Sequence, residues 1–430
     1  MKKKMDRKIA QQSNAKNRRS FERPLVALAL FTATAMYGEG FRNPPPGAFN
    51  LGRAGGRIAQ VDDSSAVQQN PANLVDLTNI QAQLSPTVVY ISADFRSSSG
   101  QSASTENPWK LLPNFFISMP LANDRFAVGL GVTVPYGLGN EWNKNSSAFT
   151  QPTGILTYQA PYYSKLTTIN FNPSFAMKLG DKISVGVGLD VMWSDLEFKQ
   201  FLSPFIPNLQ AHVEGDGVGF GGNLGITWRA TERQRFAVTY RSPITIDYNG
   251  TAQFENYPGN PSASFNSQIT FPTIVSVGYG FQVSDTVRLE SDFEWIQFSQ
   301  FDTLPINIGS NPANNPLGVP SQKIPENWRD TFTAGFGGDW QFAENWVARA
   351  GYQFYQSPVP NSTFSPTIPD ADQNVITFGL GWKNGHSSLE FAYGLDFYNE
   401  RNITNDQNPA FNGRYTFNVH LFSFAYRYSF

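Results

Sequence analysis

Cysteine is absent from this chain of 430 residues, and only 15% of its residues are charged. The lack of cysteine excludes disulfides, thiol catalysis and cysteine-ligated metals. The three histidines, at positions 212, 386 and 420, lie far apart, and no H-E-x-x-H motif occurs, so we predict no metal site. A single G-x-G-x-x-G match, Gly217–Gly222, has no following helix, so we also predict no nucleotide and no cofactor.

Long apolar runs are absent as well. No stretch of 18 or more apolar residues occurs, which argues against a helical inner-membrane protein. Aromatic residues make up 14% of the chain, and 36 Gly and 29 Pro accompany them, a mixture that favours strands and turns. A β-barrel tolerates a mean hydropathy of −0.33 because only alternate residues of each strand face lipid.

The N-terminus has the features of a secretory signal. Residues 1–24 contain nine Lys or Arg, Leu25–Phe31 is apolar, and Ala33-Thr34-Ala35 fits a cleavage site. We predict a signal peptide over residues 1–35 and an outer-membrane location; a basic tail before a core strand is the alternative. Removing this segment leaves an acidic chain, so nucleic acid is not an expected partner.

Loop length alternates along the rest of the chain. Six short turns lie near residues 121–125, 179–182, 230–233, 282–285, 342–345 and 383–386. Seven longer polar stretches lie near residues 96–110, 138–162, 199–215, 249–266, 299–327, 357–373 and 398–414. Together they require fourteen strands with both chain ends on the short-turn side. This pattern predicts an all-β fold, a 14-stranded antiparallel transmembrane β-barrel over residues 79–430.

The strands alternate in polarity with a period of two. Between Val287 and Trp295 one face carries Arg288, Glu290, Asp292 and Glu294, and we expect that face to be wet. The last strand alternates aromatic residues and ends at Phe430, which resembles the signal that the barrel-assembly machinery reads. We therefore expect that machinery and outer-membrane lipid as partners, and a monomeric barrel.

Residues 36–78 break the strand pattern. They are rich in Gly and Pro, as in Gly40–Gly47 and Leu51–Gly56, and they show neither strand nor helix periodicity. Irregular backbone cannot face lipid, but inside a barrel lumen water and inward side chains can satisfy it. We predict that residues 36–78 form an N-terminal hatch, or plug, inside the barrel.

Several short motifs occur in the order of a known family. Phe49-x-Leu51-Gly-Arg-Ala-Gly-Gly56, Asp62-Asp63 and Asn70-Pro71-Ala72 are followed by Asn123–Gly131, Pro135–Leu138 and Asn327–Asp330. This series resembles the FadL/TodX family of transporters for long-chain fatty acids and other hydrophobic compounds. The resemblance implies diffusive uptake through a lumenal pocket, past the hatch, and out sideways at a kink in the third strand.

The resemblance also assigns roles to residues. Phe41, Asn70, Pro71 and Ala72 are the expected hatch and gating residues. The lateral opening is expected at Gly129, Gly131 and Pro135, where glycine weakens a strand and proline cannot donate to its ladder.

The expected ligand-binding residues are Arg329, Lys199, Phe198, Phe201 and Phe205. Arg329 is at a position where family members carry a basic residue, whereas the second such position is Gln200, beside Lys199. This departure leaves aromatic hydrocarbons open as ligands. Arg329 pairing with the acidic face near Glu290, and loop packing for the aromatics, are the structural alternatives. A general porin is the alternative function, and a barrel enzyme is a third.

Overall fold

The computed structural model describes residues 39–121, 124–151, 154–202, 206 and 208–430. The predicted signal peptide lies outside these residues. In the described part of the chain, fourteen antiparallel strands pair in sequence order. The last strand pairs with the first, with Ser429 opposite Gln81 and Ser423 opposite Thr87, so the barrel is closed. The predicted strand number is confirmed.

The strands have the following bounds: β1, Gln81–Leu84 and Thr87–Ser97; β2, Ser102–Ser104, Trp109–Leu112 and Phe115–Leu121; β3, Phe126–Thr133 and Gly137–Glu141; β4, Tyr163–Lys178; β5, Ile183–Phe201; β6, Gln210–Arg229; β7, Gln234–Arg241 and Ile244–Glu255; β8, Ser262–Phe271 and Ile274–Gln282; β9, Val287–Ile296 and Thr303–Ile308; β10, Gln322–Pro325 and Thr331–Ala343; β11, Trp346–Tyr355; β12, Gln373–Asn384; β13, Ser387–Tyr398 and Arg401–Ile403; β14, Gly413–Ser429.

Strand β6 shows how the barrel wall is built. Its outward side chains between Val218 and Trp228 are apolar and exposed, over about the length that a tilted strand needs to cross the hydrocarbon layer. Towards its N-terminal end, before Val218, the strand continues with the outward-facing residues Asp216 and Glu214. The predicted polar stretch 199–215 therefore extends too far into this strand, which begins at Gln210. The loss of apolar alternation marks the edge of the lipid-facing band, not the end of the strand.

Short helices occur in the N-terminal segment and the loops. The α-helices are α1 (Ala48–Gly52), α2 (Ala66–Gln69) and α3 (Ser147–Thr150), and the 3-10 helices are Pro71–Asp76, Phe298–Gln300, Asn361–Thr363 and Pro409–Phe411. No helix in the described ranges is long and apolar enough to span a membrane.

The N-terminal segment, residues 39–78, contacts inward-facing side chains on many strands. Helix α1 packs against β12, β13 and β14, whereas the 3-10 helix Pro71–Asp76 packs against β4, β5 and β6. At Gly55 an added Cβ would lie 2.2 Å from the backbone N of Phe336 and the backbone O of Tyr352, so the segment meets the wall at van der Waals contact. Glycine is required there because any side chain would collide with β10 and β11.

The acidic face of β9 holds this segment by charge. Arg53 contacts Glu290 at 3.1 Å, and Arg57 contacts Glu294 at 3.1 Å. Glu290 Oε1 also accepts the backbone N–H groups of Ile58 and Ala59, both at 2.6 Å. Glu290, Asp292 and Glu294 are each at most 3% exposed. The expectation of a wet face is wrong, because the arginines of the N-terminal segment replace water as partners of these carboxylates.

Candidate lateral gap and ligand cavity

Strand β3 is interrupted between Thr133 and Gly137. Thr133 lies opposite Asn170 of β4, and Gly137 lies opposite Thr167. Three residues of β3 therefore oppose two residues of β4, which is a β-bulge. Pro135 is the middle residue of the three, and it has no N–H with which to continue the ladder.

The bulge adjoins a gap between β2 and β3. On the short-turn side of the gap, Phe115 pairs with Val132. On the long-loop side, the N–H of Glu106 donates to the carbonyl of Glu141 at 2.6 Å. Between these points no described ladder pair joins Trp109–Leu112 to Gly137–Glu141. The first segment pairs with β1 and the second with β4. The wall is therefore open over this stretch and closed at both ends.

Gly129 and Gly131 lie on the short-turn side of the gap, in the regular part of β3, where they form ladder pairs with β2 and β4. Their role in the structure is to leave room for the N-terminal segment. A Cβ at Gly129 would lie 2.5 Å from Cγ2 of Val67, and one at Gly131 would lie 3.1 Å from Cγ1 of Val67. Of the three residues expected at the lateral opening, only Pro135 lies in the break itself.

The N-terminal segment supplies hydrogen bonds that the break leaves unmade. The backbone N–H of Asn43 donates to the carbonyl of Pro135 at 3.0 Å, and Asn43 Nδ2 donates to the carbonyl of Val134 at 2.9 Å. The N–H of Gly137 donates to the carbonyl of Phe41 at 2.9 Å. Residues 41–43 thus act as a short partner strand for the bulge.

Phe41 anchors this contact in a box of aromatic rings. Its side chain is 2% exposed and stacks on Trp328 with ring centroids 5.0 Å apart. Four further rings meet it edge to face at 5.4–5.9 Å: Tyr136, Phe271, Phe298 and Phe301. Edge-to-face and offset-stacked pairs are the favoured aromatic geometries, so the box holds Phe41 firmly.

A cavity of about 470 Å³ lies beside the N-terminal segment. Its lining includes both edges of the gap, Trp109–Leu112 and Gly137–Glu141, so the cavity reaches the opening in the wall. Apolar side chains from β1, β12 and β14 cover much of it: Val89, Ile91, Val375, Val419 and Leu421. Lys110, Gln373, Asp396 and Tyr398 are among its polar groups, and the lining also includes the charged Glu39, Arg42, Glu106, Glu141 and Lys165. This size and mixture suit a small, mostly apolar ligand with one polar end.

A family model described as outer membrane protein transport protein (OMPP1/FadL/TodX) matches residues 29–430. The chain belongs to this family. It is therefore an outer-membrane transport channel for hydrophobic compounds, not an enzyme. The predicted resemblance, fold, location and transport role are confirmed.

Relatives and solved structures agree with this assignment. A long-chain fatty acid transport protein of Escherichia coli O6:H1 is 28% identical over 401 residues, which cover 83% of this chain and 85% of the relative. A Pseudomonas aeruginosa FadL homologue superposes with a TM-score of 0.77 at 23% identity, covering 91% of this chain and all of that one. The Ralstonia pickettii toluene transporter TbuX gives 0.69 at 19% identity, covering 90% and 99%. Both structures have the same fold.

In this FadL/TodX-family chain, Asn70-Pro71-Ala72 forms a buried turn against β5 and β6. The Oδ1 of Asn70 accepts the N–H of Ala72 at 3.1 Å, and its Nδ2 donates to Thr227 Oγ1 at 2.9 Å. Pro71 begins the 3-10 helix that follows. The turn therefore connects the N-terminal segment directly to the barrel wall.

The structure separates the expected ligand-binding residues. Phe198 packs into the apolar cluster of the upper lumen, and Phe201 stacks on Tyr162 at 5.1 Å. Lys199 is on the opposite face of β5 from Phe198 and lies 3.6 Å from Glu197. Arg329 is exposed, and its backbone N–H donates to the carbonyl of Pro358.

None of these four residues lines the cavity, and Phe205 lies outside the described residues. The cavity instead uses residues that sequence reasoning missed, among them Lys110 and Asp396. Lys110 is the last residue of the predicted polar stretch 96–110, and no sequence motif identifies it as a binding residue. No group of three or more His, Cys, Asp or Glu side chains in the described ranges is arranged to hold a metal ion.

Proposed function

We propose that this protein takes up long-chain fatty acids, or similar amphiphiles, by diffusion through the cavity and out sideways at the gap between β2 and β3. The observation that carries the proposal is the continuity between cavity and gap, since one 470 Å³ space has both edges of the gap in its lining. Aromatic hydrocarbons are the alternative ligands, because relatives with this fold include a toluene transporter.

Lateral exit is favoured by the energetics of an acyl chain. Each CH₂ group gains about 0.8 kcal/mol on leaving water, so a long chain moves more readily into lipid than into a watery pore. Outside the gap, the side chains of Trp109 and Leu111 are 60% and 64% exposed and form an apolar surface. A ligand that passes between the strands therefore meets apolar groups on both sides of the wall.

Gating belongs to the N-terminal segment, which we propose is the hatch of this transporter. Phe41 and Asn43 contact the break in β3, and Asn70-Pro71-Ala72 fixes the segment to β5 and β6. Movement of residues 41–43 would release the hydrogen bonds at Val134, Pro135 and Gly137 and widen the opening. No energy source other than the ligand gradient is needed for this route.

The bulge offers a direct test. Deleting Pro135 would leave two residues of β3 opposite two of β4, so the ladder should close and uptake should fall at least several-fold. Pro135→Ala is the matched control, because it keeps the extra residue. The measurement is oleate and toluene uptake by cells with equal outer-membrane levels of each protein. Parent-like uptake after the deletion, or a parent that passes only small sugars, would favour the porin alternative.

A further inference from the structure

Lys110 lies at the edge of the gap, on the β2 side. It is on the inward face of β2, and its side chain extends towards Gly139 of β3. A Cβ added at Gly139 would lie 3.0 Å from Cε and 3.2 Å from Nζ of Lys110. The glycine therefore leaves the space that the lysine side chain occupies, and the ammonium group lies across the opening.

The other basic groups near this opening are already paired. Arg42 contacts Glu39 at 2.7 Å and Glu294 at 2.9 Å. Lys165, on the outward face of β4, contacts Asp195 at 2.9 Å. Among the ion pairs of the described residues, none includes Lys110, so no carboxylate lies within 4.0 Å of its Nζ. A lysine ammonium has three donors and no acceptor, and these donors are available to a ligand.

We propose that Lys110 binds the acidic head group of the ligand, so that this channel selects long-chain carboxylic acids over neutral hydrocarbons. The inference rests on the proposed lateral route and adds the ligand class to it. A carboxylate at Lys110 forms a charge-assisted hydrogen bond, which is about twice as strong as a neutral one. A neutral hydrocarbon in the same place would remove water from the ammonium group and offer no partner.

The opposite wall of the cavity orients the ligand. Asp396 of β13 is 8% exposed and lines the same cavity, and its Oδ1 has no hydrogen-bond partner among the described residues. An acid head group placed there would meet another carboxyl group instead of a donor. On the facing edge of the gap, the carboxylate of Glu141 already accepts from Asn107 Nδ2 at 2.6 Å. The head group is therefore placed at Lys110, and the tail along the apolar side chains of β1 and β14, such as Val89 and Leu421.

The experiment compares two probes that differ only in the head group, oleate and oleyl alcohol. Their uptake rates are measured in cells with equal outer-membrane levels of the parent and of Lys110→Met, Lys110→Gln and Lys110→Arg. The oleate-to-alcohol ratio should fall about tenfold in the Met and Gln variants, the factor that about 1.4 kcal/mol gives. It should stay within about twofold of the parent in the Arg variant. Lys323→Met is the matched control, because it removes an exposed lysine that does not line the cavity.

Two results would overturn the inference. One is an unchanged ratio in both neutral variants, and the other is an equally low ratio in Lys110→Arg, which would show that positive charge is not the cause. A parent that transports neither probe would contradict the proposed function itself. A parent that transports both probes, together with unchanged ratios in the neutral variants, would contradict only the role of Lys110.

Discussion

The backbone N–H of Asn43 donates to the carbonyl of Pro135 at 3.0 Å, which links the N-terminal segment to the break in β3. Proline interrupts the ladder because it lacks an N–H, yet its carbonyl still needs a donor. In this protein the donor comes from Asn43 of the N-terminal segment and not from strand β2. Any movement of that segment therefore changes the hydrogen bonding of the wall at the gap.

Removing the aromatic anchor should loosen this link. Phe41→Ala deletes a ring that contacts five others, and burial losses of this kind cost about 3–5 kcal/mol. We expect faster hydrogen exchange in peptides covering residues 39–47 and 136–141, measured by mass spectrometry on the purified protein. Phe175→Ala, which removes a lipid-facing ring that is 41% exposed, is the control. Exchange that matches the parent in both peptides would show that Phe41 does not hold the segment.

Crowding the Asn70 turn should impair transport without unfolding the barrel. A Cβ at Gly225 would lie 2.1 Å from Asn70 Oδ1, so Gly225→Ala must displace the side chain that caps the turn. We expect oleate uptake to fall several-fold at an unchanged outer-membrane level. In the control Gly222→Ala, the nearest atom to the new Cβ is 3.4 Å away, and uptake should match the parent. Equal uptake by the two variants would mean that the turn can shift at no cost to transport.

Glu326 should make stability depend on pH. This carboxyl lies in the connection between the two segments of β10. Burial raises its pKa from 4.5 to about 8, although the hydrogen bond from Trp328 Nε1 lowers the pKa. Because the folded protein holds the proton more tightly, the stabilising contribution is full below pH 4.5 and is lost as pH rises through about 8. The loss is roughly 1.4 kcal/mol for each pH unit between these two values.

Glu326→Gln, which mimics the protonated form, should therefore unfold at a higher temperature than the parent above pH 8, with the difference shrinking towards pH 5. The midpoint of thermal unfolding in detergent, measured from pH 5 to 9, tests this. Glu400→Gln is the control, since its carboxylate is exposed and paired with Arg414. A difference between Glu326→Gln and the parent that does not change with pH would contradict the raised pKa.

The sequence by itself determined the strand number and the type of barrel. Alternating polarity is a local property of each strand, and the six short turns can be recognised from their composition. All fourteen strands could therefore be predicted. The irregular composition of residues 36–78 likewise excluded strands there. The outer ends of the strands could not be predicted, because outward residues such as Asp216 are polar once a strand has left the lipid.

Only the tertiary structure decided which side chains meet. The carboxylates of β9 looked wet because the arginines that bury them, Arg53 and Arg57, are more than 200 residues away in sequence. Lys110 and Asp396 carry no motif, and they face one cavity only because barrel closure brings β13 and β14 next to β1 and β2. Strand polarity depends on neighbours in sequence, whereas a lumenal site depends on closure of the whole ring, which is why sequence patterns predicted the barrel and missed the cavity.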